Sequence, residues 1–189
     1  MRIIAGNLKG SSLYEAQNKT TRPLKDLVKE SIFNLLIHSK KISFKLELSN
    51  VLDLYAGTGS FGLECLSRKA KNVCFVENEK SAIKILEENI KKLKLKKKTK
   101  IFFENVFTFI EKNKIQKFNF NLIFCDAPFK DKNIEKLIEL IYDNNLLNQN
   151  GIIILHRDKI SKEKFPNYFK VLDERIYGIS KIIFGILLP

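Results

Sequence analysis

The tetrapeptide Asp126-Ala-Pro-Phe129 brings together groups that can act on an amine. An exocyclic amine on a nucleobase is a poor nucleophile, because its lone pair is delocalised into the ring. The carboxylate of Asp126 and the backbone carbonyl of Ala127 can accept hydrogen bonds from its two N–H groups. That turns the lone pair toward an electrophile and sets negative charge where positive charge develops. Pro128 follows, and Phe129 can stack on a base drawn out of its surroundings. Taken alone, the same tetrapeptide is equally an ordinary strand-to-loop turn.

The electrophile has to come from a cofactor, and Val51 to Glu64 is a stretch that could hold one. Val51, Leu52 and Leu54 form an apolar run short enough for a buried parallel strand. Gly57, Gly59 and Gly62 let the backbone turn sharply and approach a ligand closely. Ser60 is placed to cap a following helix, whose first N–H groups point into the turn. Gly57-Thr-Gly-Ser-Phe-Gly62 matches G-x-G-x-x-G, and Glu77 lies at the spacing that holds ribose hydroxyls. A nicotinamide dinucleotide and S-adenosylmethionine both fit that pattern. Asp53 tilts the choice to S-adenosylmethionine. Dehydrogenase fingerprints keep the strand apolar up to the first glycine, whereas methyltransferases carry an acid in (D/E)-x-G-x-G-x-G. Tyr55 stands where the first glycine of that pattern would be.

These two stretches need a scaffold that brings them together. Val73-Cys-Phe-Val-Glu77 reads as a second buried strand, and Asn78 is placed to cap the helix carrying Ile83, Leu86, Ile90 and Leu93. Residues 101–103 make a third strand, and 106–110 begin a short helix. Asn121 to Cys125 is a fourth strand that delivers Asp126, and Ile134, Leu137, Ile138 and Ile141 define the next helix. Ile152 to Leu155 is a fifth strand, and 168–177 with 180–188 form a closing hairpin. Strands alternating with helices imply an α/β doubly wound, mostly parallel seven-stranded sheet. Upstream, Met1 to Lys19 reads as a hairpin, either a simple cap or an RNA-contacting extension. Thr20 to Leu24 is an extended link, and Leu24, Leu27, Val28, Ile32, Leu35 and Leu36 repeat at helical spacing. The expected division is an extension over 1–40 and a methyltransferase domain over 41–189.

At 189 residues, 44% of them apolar, the chain is long enough for one well-buried core. The net charge of +13 favours a polyanionic partner such as nucleic acid. Where the charge falls matters more than its sum. The run Lys91 to Lys100 closes a helix that starts at the cofactor edge and runs back to the opposite edge, so it reads as a solvated face. The basic residues expected on the working face are Lys130, Lys132, Arg157 and Lys159, joined by Arg2, Lys9, Arg22 and Lys25. Cys65, Cys74 and Cys125 form no C-x-x-C pair and read as small core residues. Cys125 also admits a rival mechanism, because cytosine C5-methyltransferases place a nucleophilic cysteine after this strand. Strand alternation opposes it: if Asp126 faces the cleft, Cys125 faces the helices. No metal cluster, signal segment or membrane span is expected, and the expected compartment is the cytoplasm.

Asp126-Ala-Pro-Phe129 resembles the (N/D/S)-P-P-(Y/F/W) motif of amino-methyltransferases, with Ala127 in place of the first proline. Arg2-Ile-Ile-Ala-Gly6, Thr21-Arg-Pro23, Lys29-Glu-Ser-Ile-Phe-Asn34, Val51 to Glu64 and Asp126 to Phe129 occur in the order seen in the RsmD family. The resemblance covers essentially the whole chain. It implies a monomeric class I methyltransferase, Rossmann-like in fold, that methylates N2 of a guanine in 16S rRNA, the family being named for guanine 966. The cofactor set is then Asp53, Tyr55, Ala56, Gly57, Thr58, Gly59, Glu77 and Asn78. By position Asn105 looks like the family's adenine contact, although it is also a natural helix cap. The alternatives are an adenine-N6 or protein-glutamine methyltransferase, a nicotinamide-dependent dehydrogenase, or an RNA-binding assembly factor without catalysis.

Overall fold

A computed structural model of the chain describes residues 1–15, 24–116 and 119–189, with the backbone alone for 113–116. The expected link over Thr20 to Leu24, including Arg22, falls almost wholly outside the described residues. Among those described, one sheet holds β1 (Asn50–Leu54), β2 (Asn72–Glu77), β3 (Thr99–Phe103), β4 (Phe120–Cys125), β5 (Leu147–Asp158), β6 (Phe169–Tyr177) and β7 (Ser180–Leu187). Their order is β3-β2-β1-β4-β5-β7-β6. β1 to β5 run parallel, and β7 is antiparallel to both β5 and β6. Helices α1 (Asp26–His38), α2 (Ser60–Ser67), α3 (Lys80–Lys92), α4 (Val106–Gln116) and α5 (Ile134–Asp143) flank the sheet. The strand sequence reverses direction between β1 and β4, which opens a crevice at their carboxyl ends.

Strand alternation sorts the core into two layers. Val51, Leu122, Phe124, Ile152 and Ile154 join Phe33, Phe61 and Leu86 on the side of α1, α2 and α3. Leu52, Leu54, Ile123, Cys125, Ile153 and Leu155 join Phe109, Leu137, Ile138 and Ile141 on the side of α4 and α5. Asp53, between Leu52 and Leu54, therefore falls on the α2 side. Phe61 of α2 stacks between Phe33 and Phe124, with ring centroids 5.2 and 3.8 Å apart.

The amino-terminal segment folds back on itself as expected but pairs its arms only briefly: an isolated antiparallel bridge joins Arg2 and Ser12, flanked by bonds from the Ile3, Gly10 and Leu13 N–H groups to the Ser11, Ile3 and Met1 carbonyls. Other groups of the segment bind α2. The Glu64 carboxylate accepts from the Ile4 and Ala5 N–H groups at 2.7 and 3.0 Å. The Ser67 hydroxyl accepts from the Leu8 N–H and donates to the Ala5 carbonyl. Lys29 of α1 is fully buried, and its ammonium donates to the Arg2 carbonyl and the Ser60 hydroxyl at 2.9 and 3.0 Å. Burial lowers the Lys29 pKa, and the charges of Glu64 and Asp26 pull it back up. Asn89 of α3, also fully buried, bonds to the Tyr14 backbone and donates to the Thr58 carbonyl, so the segment is tied to the glycine turn as well.

Helix starts differ from expectation in two places. Gly59, not Ser60, caps α2, because φ +84° is a left-handed conformation suited to glycine. Glu79, not Asn78, caps α3, accepting from the Ser81 N–H at 3.3 Å.

Gly6 tests the clasp. It sits at φ +82°, and an added Cβ would lie 2.0 Å from the Ser67 carbonyl oxygen, a backbone atom that already holds the Asn7 N–H. Gly10 has a similar φ of +85° but open space around it. Gly10→Ala should cost about 1 kcal/mol from backbone strain alone, and Gly6→Ala at least about 2 kcal/mol. Urea midpoints that fall equally for the two variants would show that the clasp on Ser67 contributes nothing.

Candidate active site

The glycine turn is held from two sides by carboxylates bonded to its backbone. Asp53, 1% exposed, reaches up from β1 and accepts from the Gly62 N–H at 2.9 Å, inside the first turn of α2. Glu77, at the end of β2, accepts from the Gly57 N–H at 2.7 Å and from the Asn78 and Glu79 N–H groups at 2.8 and 2.9 Å. Burial raises the Asp53 pKa, the Gly62 N–H lowers it, and the charges of Asp126 and Glu77 raise it further. Tyr55, Gly57 and Gly59 all have positive φ, at 57°, 54° and 84°. For Tyr55 the left-handed conformation costs about 1–2 kcal/mol. Its side chain packs with the α4–α5 layer, and its hydroxyl donates to Asp131 at 3.2 Å. The residue standing where the pattern has glycine thus ties the turn to the loop after β4.

That loop begins at Asp126, whose N–H donates to the Leu54 carbonyl at 3.3 Å, across the β1–β4 boundary. Asp126, Ala127, Pro128, Phe129 and Lys130 line one wall of a cavity of about 490 Å³. Asp53, Tyr55, Ala56, Gly57, Thr58, Glu77 and Asn78 line the other, with Ser60 and Phe61 at the start of α2. The two expected chemical stretches therefore share one cavity. Asn105 does not line it; it caps α4, its side-chain oxygen accepting from the Phe107 N–H at 2.9 Å. Gly59 is set back from the wall, against Leu86. Cys125 is fully buried in the α4–α5 layer, and burial pushes its thiol up to about 12. A protonated core thiol is no nucleophile, which removes the rival mechanism.

The basic residues separate into three groups. Lys130 is exposed at the cavity, and Lys25, Lys132 and Lys159 are exposed elsewhere. Arg2 is exposed and lies 4.0 Å from Asp26, and Lys9 sits on the loop that docks at Ser67, the far end of α2 from the cavity. Arg22 lies outside the described residues. Arg157 corrects an expectation. It is 2% exposed and donates to the Ala127, Pro128 and Asp131 carbonyls and to Glu163. Buried among acceptors of its own chain, it cannot serve as an RNA contact; it clamps the loop that carries Asp126 to Phe129. The run Lys96–Lys98 lies beside Asn50 and Asn72, at the amino ends of β1 and β2, opposite the cavity.

Sequence reasoning missed His156. Its ring is 2% exposed, with Nδ1 at 2.8 Å from Asp126 Oδ1 and Nε2 at 2.8 Å from the Ser180 hydroxyl. The one available signal was its place at the end of the apolar run Ile152 to Leu155, directly beside the strand that delivers Asp126.

A doubly wound sheet with a glycine turn and the Asp-Ala-Pro-Phe loop together at its switch point defines a class I, Rossmann-like methyltransferase. The chain matches the family model described as "Conserved hypothetical protein 95" over residues 1–186. It is 33% identical over 180 residues to "Ribosomal RNA small subunit methyltransferase D" of Haemophilus influenzae, covering 95% of this chain and 90% of that one. The protein of the same name from Escherichia coli K12 is 28% identical over 158 residues, covering 84% and 75% of the two chains. The solved structure of the Escherichia coli protein called "Putative methyltransferase yhhF" superposes with a TM-score of 0.84 at 25% identity, over 100% of this chain and 98% of that one. The chain belongs to the RsmD family of S-adenosylmethionine-dependent rRNA methyltransferases. Among the described residues, no helix is long and apolar enough to cross a membrane.

Arg157→Ala should cost about 3–5 kcal/mol, because it strands Glu163 and the loop carbonyls in a buried setting. Arg157→Lys should recover little, since one ammonium cannot reproduce a planar fork of donors. Unfolding by urea reads both. A fully stable Arg157→Ala protein with weakened RNA binding would restore the RNA-contact reading.

Proposed function

We propose that the chain transfers the methyl group of S-adenosylmethionine to the exocyclic N2 of a guanine in 16S rRNA, of the guanine-966 type, acting as a cytoplasmic monomer on the small ribosomal subunit or its assembly intermediate. The observation that carries the reading is the shared cavity: Asp126 and Ala127 line it together with residues of the glycine turn. The lining fits the cofactor. The volume of about 490 Å³ falls within the range of small-molecule pockets. A Cβ added at Gly57 would meet nothing within 4 Å, so its backbone is open to close approach. The start of α2 and the Glu77 carboxylate line the same wall, suited to the carboxylate and ribose ends of such a molecule. When bound, S-adenosylmethionine supplies a methyl group on a positively charged sulfur, which keeps the electron pair of the broken bond as the new N–C bond forms.

The chain's own residues do the rest. The Asp126 carboxylate and the Ala127 carbonyl accept the two N–H groups of the amine and aim its lone pair across the cavity. As positive charge grows on nitrogen, the carboxylate stabilises it, and one N–H proton leaves along its hydrogen bond to Asp126 and on to solvent. Phe129 offers a ring face to the flipped base. Lys130 and the exposed lysines beside it attract the phosphate backbone without reading its sequence. Asp53 and Glu77 fix the turn, so the cofactor end needs no reorganisation when the base arrives.

Asp126→Ala should slow single-turnover methylation of small-subunit RNA about a hundred- to a thousand-fold at saturating cofactor. Asp126→Asn keeps one acceptor oxygen and should lose less. Cofactor affinity should hold in both. Wild-type rates in Asp126→Ala would remove the amine-directed mechanism, and N6-methyladenosine in the digested RNA would move the reading to adenine.

Glu77→Ala should weaken S-adenosylmethionine binding by about 1.5–3 kcal/mol, measured by calorimetry. NADH binding with no response to S-adenosylmethionine would return the chain to the dehydrogenases. On the RNA side, Lys130→Ala should lower the salt slope of binding by about one. Changing Lys96, Lys97 and Lys98 together to alanine should do less, and the opposite ranking would mean that RNA approaches the amino edge of the sheet.

A further inference from the structure

Asp126 and Phe129 have one neighbour in common, and it belongs to neither chemical stretch. The His156 ring lies 2.8 Å from Asp126 Oδ1 through Nδ1, and its centroid is 5.6 Å from that of Phe129 at an interplanar angle of 83°. Its other nitrogen, Nε2, lies 2.8 Å from the Ser180 hydroxyl on β7. His156 and Ser180 are 2% and 5% exposed, so the chain Ser180–His156–Asp126 runs from the buried sheet to the cavity wall. His156 stands one residue beyond Leu155, which pairs with Cys125, so β5 delivers it beside Asp126 in register.

We propose that His156 is a positioning residue for the amine-binding motif: it fixes the rotation of the Asp126 carboxylate from behind and backs the Phe129 ring edge-on. The assignment rests on the methyltransferase reading above and deepens it. An aspartate carboxylate turns easily about its last side-chain torsion, which is broad and nearly two-fold. To hold the N–H of a planar base, its acceptor oxygen has to stay in the plane of that base. A hydrogen bond to Oδ1 removes the rotation and leaves the carboxylate facing the cavity in one orientation. Histidine suits the place because its two ring nitrogens point to opposite sides of a rigid plane. One reaches Asp126 while the other is anchored on β7. A carboxylate only accepts, so Nδ1 carries the proton, while the Ser180 hydroxyl can meet Nε2 either as donor or as acceptor. Free neutral histidine favours the proton on Nε2; the Asp126 carboxylate requires it on Nδ1. A T-shaped contact likewise favours one tilt of Phe129, the ring on which a base would stack.

The test uses the full chain and small-subunit RNA. His156→Leu should lower the single-turnover rate about ten- to a hundred-fold, the loss of one hydrogen bond to a charged group. Dissociation constants for S-adenosylmethionine and RNA should stay unchanged. His156→Asn, whose amide reaches the place of Nδ1, should recover much of the rate, and Ser180→Ala should fall in between. A second readout needs no turnover. The chain has only two histidines, His38 and His156. Ring-nitrogen NMR of the protein alone, with His156→Asn to assign the signal, should find the proton on Nδ1 of His156. A folded His156→Leu protein with the wild-type rate, a loss confined to RNA affinity, or a neutral ring protonated on Nε2 would each overturn the assignment. If His156→Leu does not fold, the tautomer and the asparagine variant decide it. A wild-type protein that methylates no rRNA would instead sink the functional reading, and the tautomer measurement would still judge the hydrogen bond.

Discussion

The site depends on one backbone hydrogen bond at the switch point of the sheet. The Asp126 N–H donates to the Leu54 carbonyl at 3.3 Å, one residue beyond the last register pair of β1 and β4, Leu54 with Cys125. Both strands end there, and each chain path leaves for a different purpose. After Leu54 the backbone enters the glycine turn; after Cys125 it enters the Asp-Ala-Pro-Phe loop. Parallel pairing puts both departures on the same edge of the sheet. Alternation then selects the side chains. Leu54 and Cys125 point together into the α4–α5 layer, so Asp53 lies across β1 from them and Asp126 follows Cys125 toward the cavity.

Four carboxylates line this cavity: Glu15 pairs with the Met1 amino group, and Asp53 and Glu77 are committed to backbone N–H groups of the turn and of the helix starts beside it. Such a cluster repels itself: the charges of Asp126 and Glu77 add to burial in raising the Asp53 pKa. A cofactor whose reactive centre is a cation would relieve that repulsion. Outside it the charge has the opposite sign: Lys130 lines the cavity, and Lys132 and Lys159 are exposed on the loops that follow β4 and β5. A negative cavity with lysines outside it favours two unlike ligands, a cationic small molecule within and a polyanion without, by field alone.

The sheet and its motifs were legible because they rest on local signals. Glycine spacing marks the turn, apolar runs mark the strands, and helix direction alone puts the Lys91 to Lys100 run at the amino edge. What failed was depth. An isolated arginine usually belongs on the surface, yet Glu163 and the carbonyls of the Asp-Ala-Pro-Phe loop, the latter distant in the chain, supply acceptors for Arg157. Ser60 and Asn78 have cap-forming side chains one residue away from the caps, which fall to Gly59, whose φ is left-handed, and to Glu79, whose carboxylate accepts from the Ser81 N–H. His156 carried only the signal of its place at a strand end, since its meaning comes from Asp126 and Ser180, which are distant in the chain.

Ala127 shows how such tertiary contacts can replace a local constraint. The motif it resembles has proline there, which fixes φ. Alanine gives up that restraint, but not all stiffness, because a residue preceding proline is itself held near the extended region, and Pro128 follows. Arg157 supplies more. One terminal nitrogen lies 3.3 Å from the Ala127 oxygen and 3.1 Å from the Pro128 oxygen, while the other bonds to the Asp131 carbonyl. A planar guanidinium holding these carbonyls restrains the loop about as a second ring would, through acceptors rather than through φ. It also sets a positive charge beside the carbonyl that the proposed mechanism assigns to an increasingly positive amine. Glu163, 2.7 Å from the Arg157 Nε, offsets that charge, so the loop is stiffened with little opposition to the chemistry.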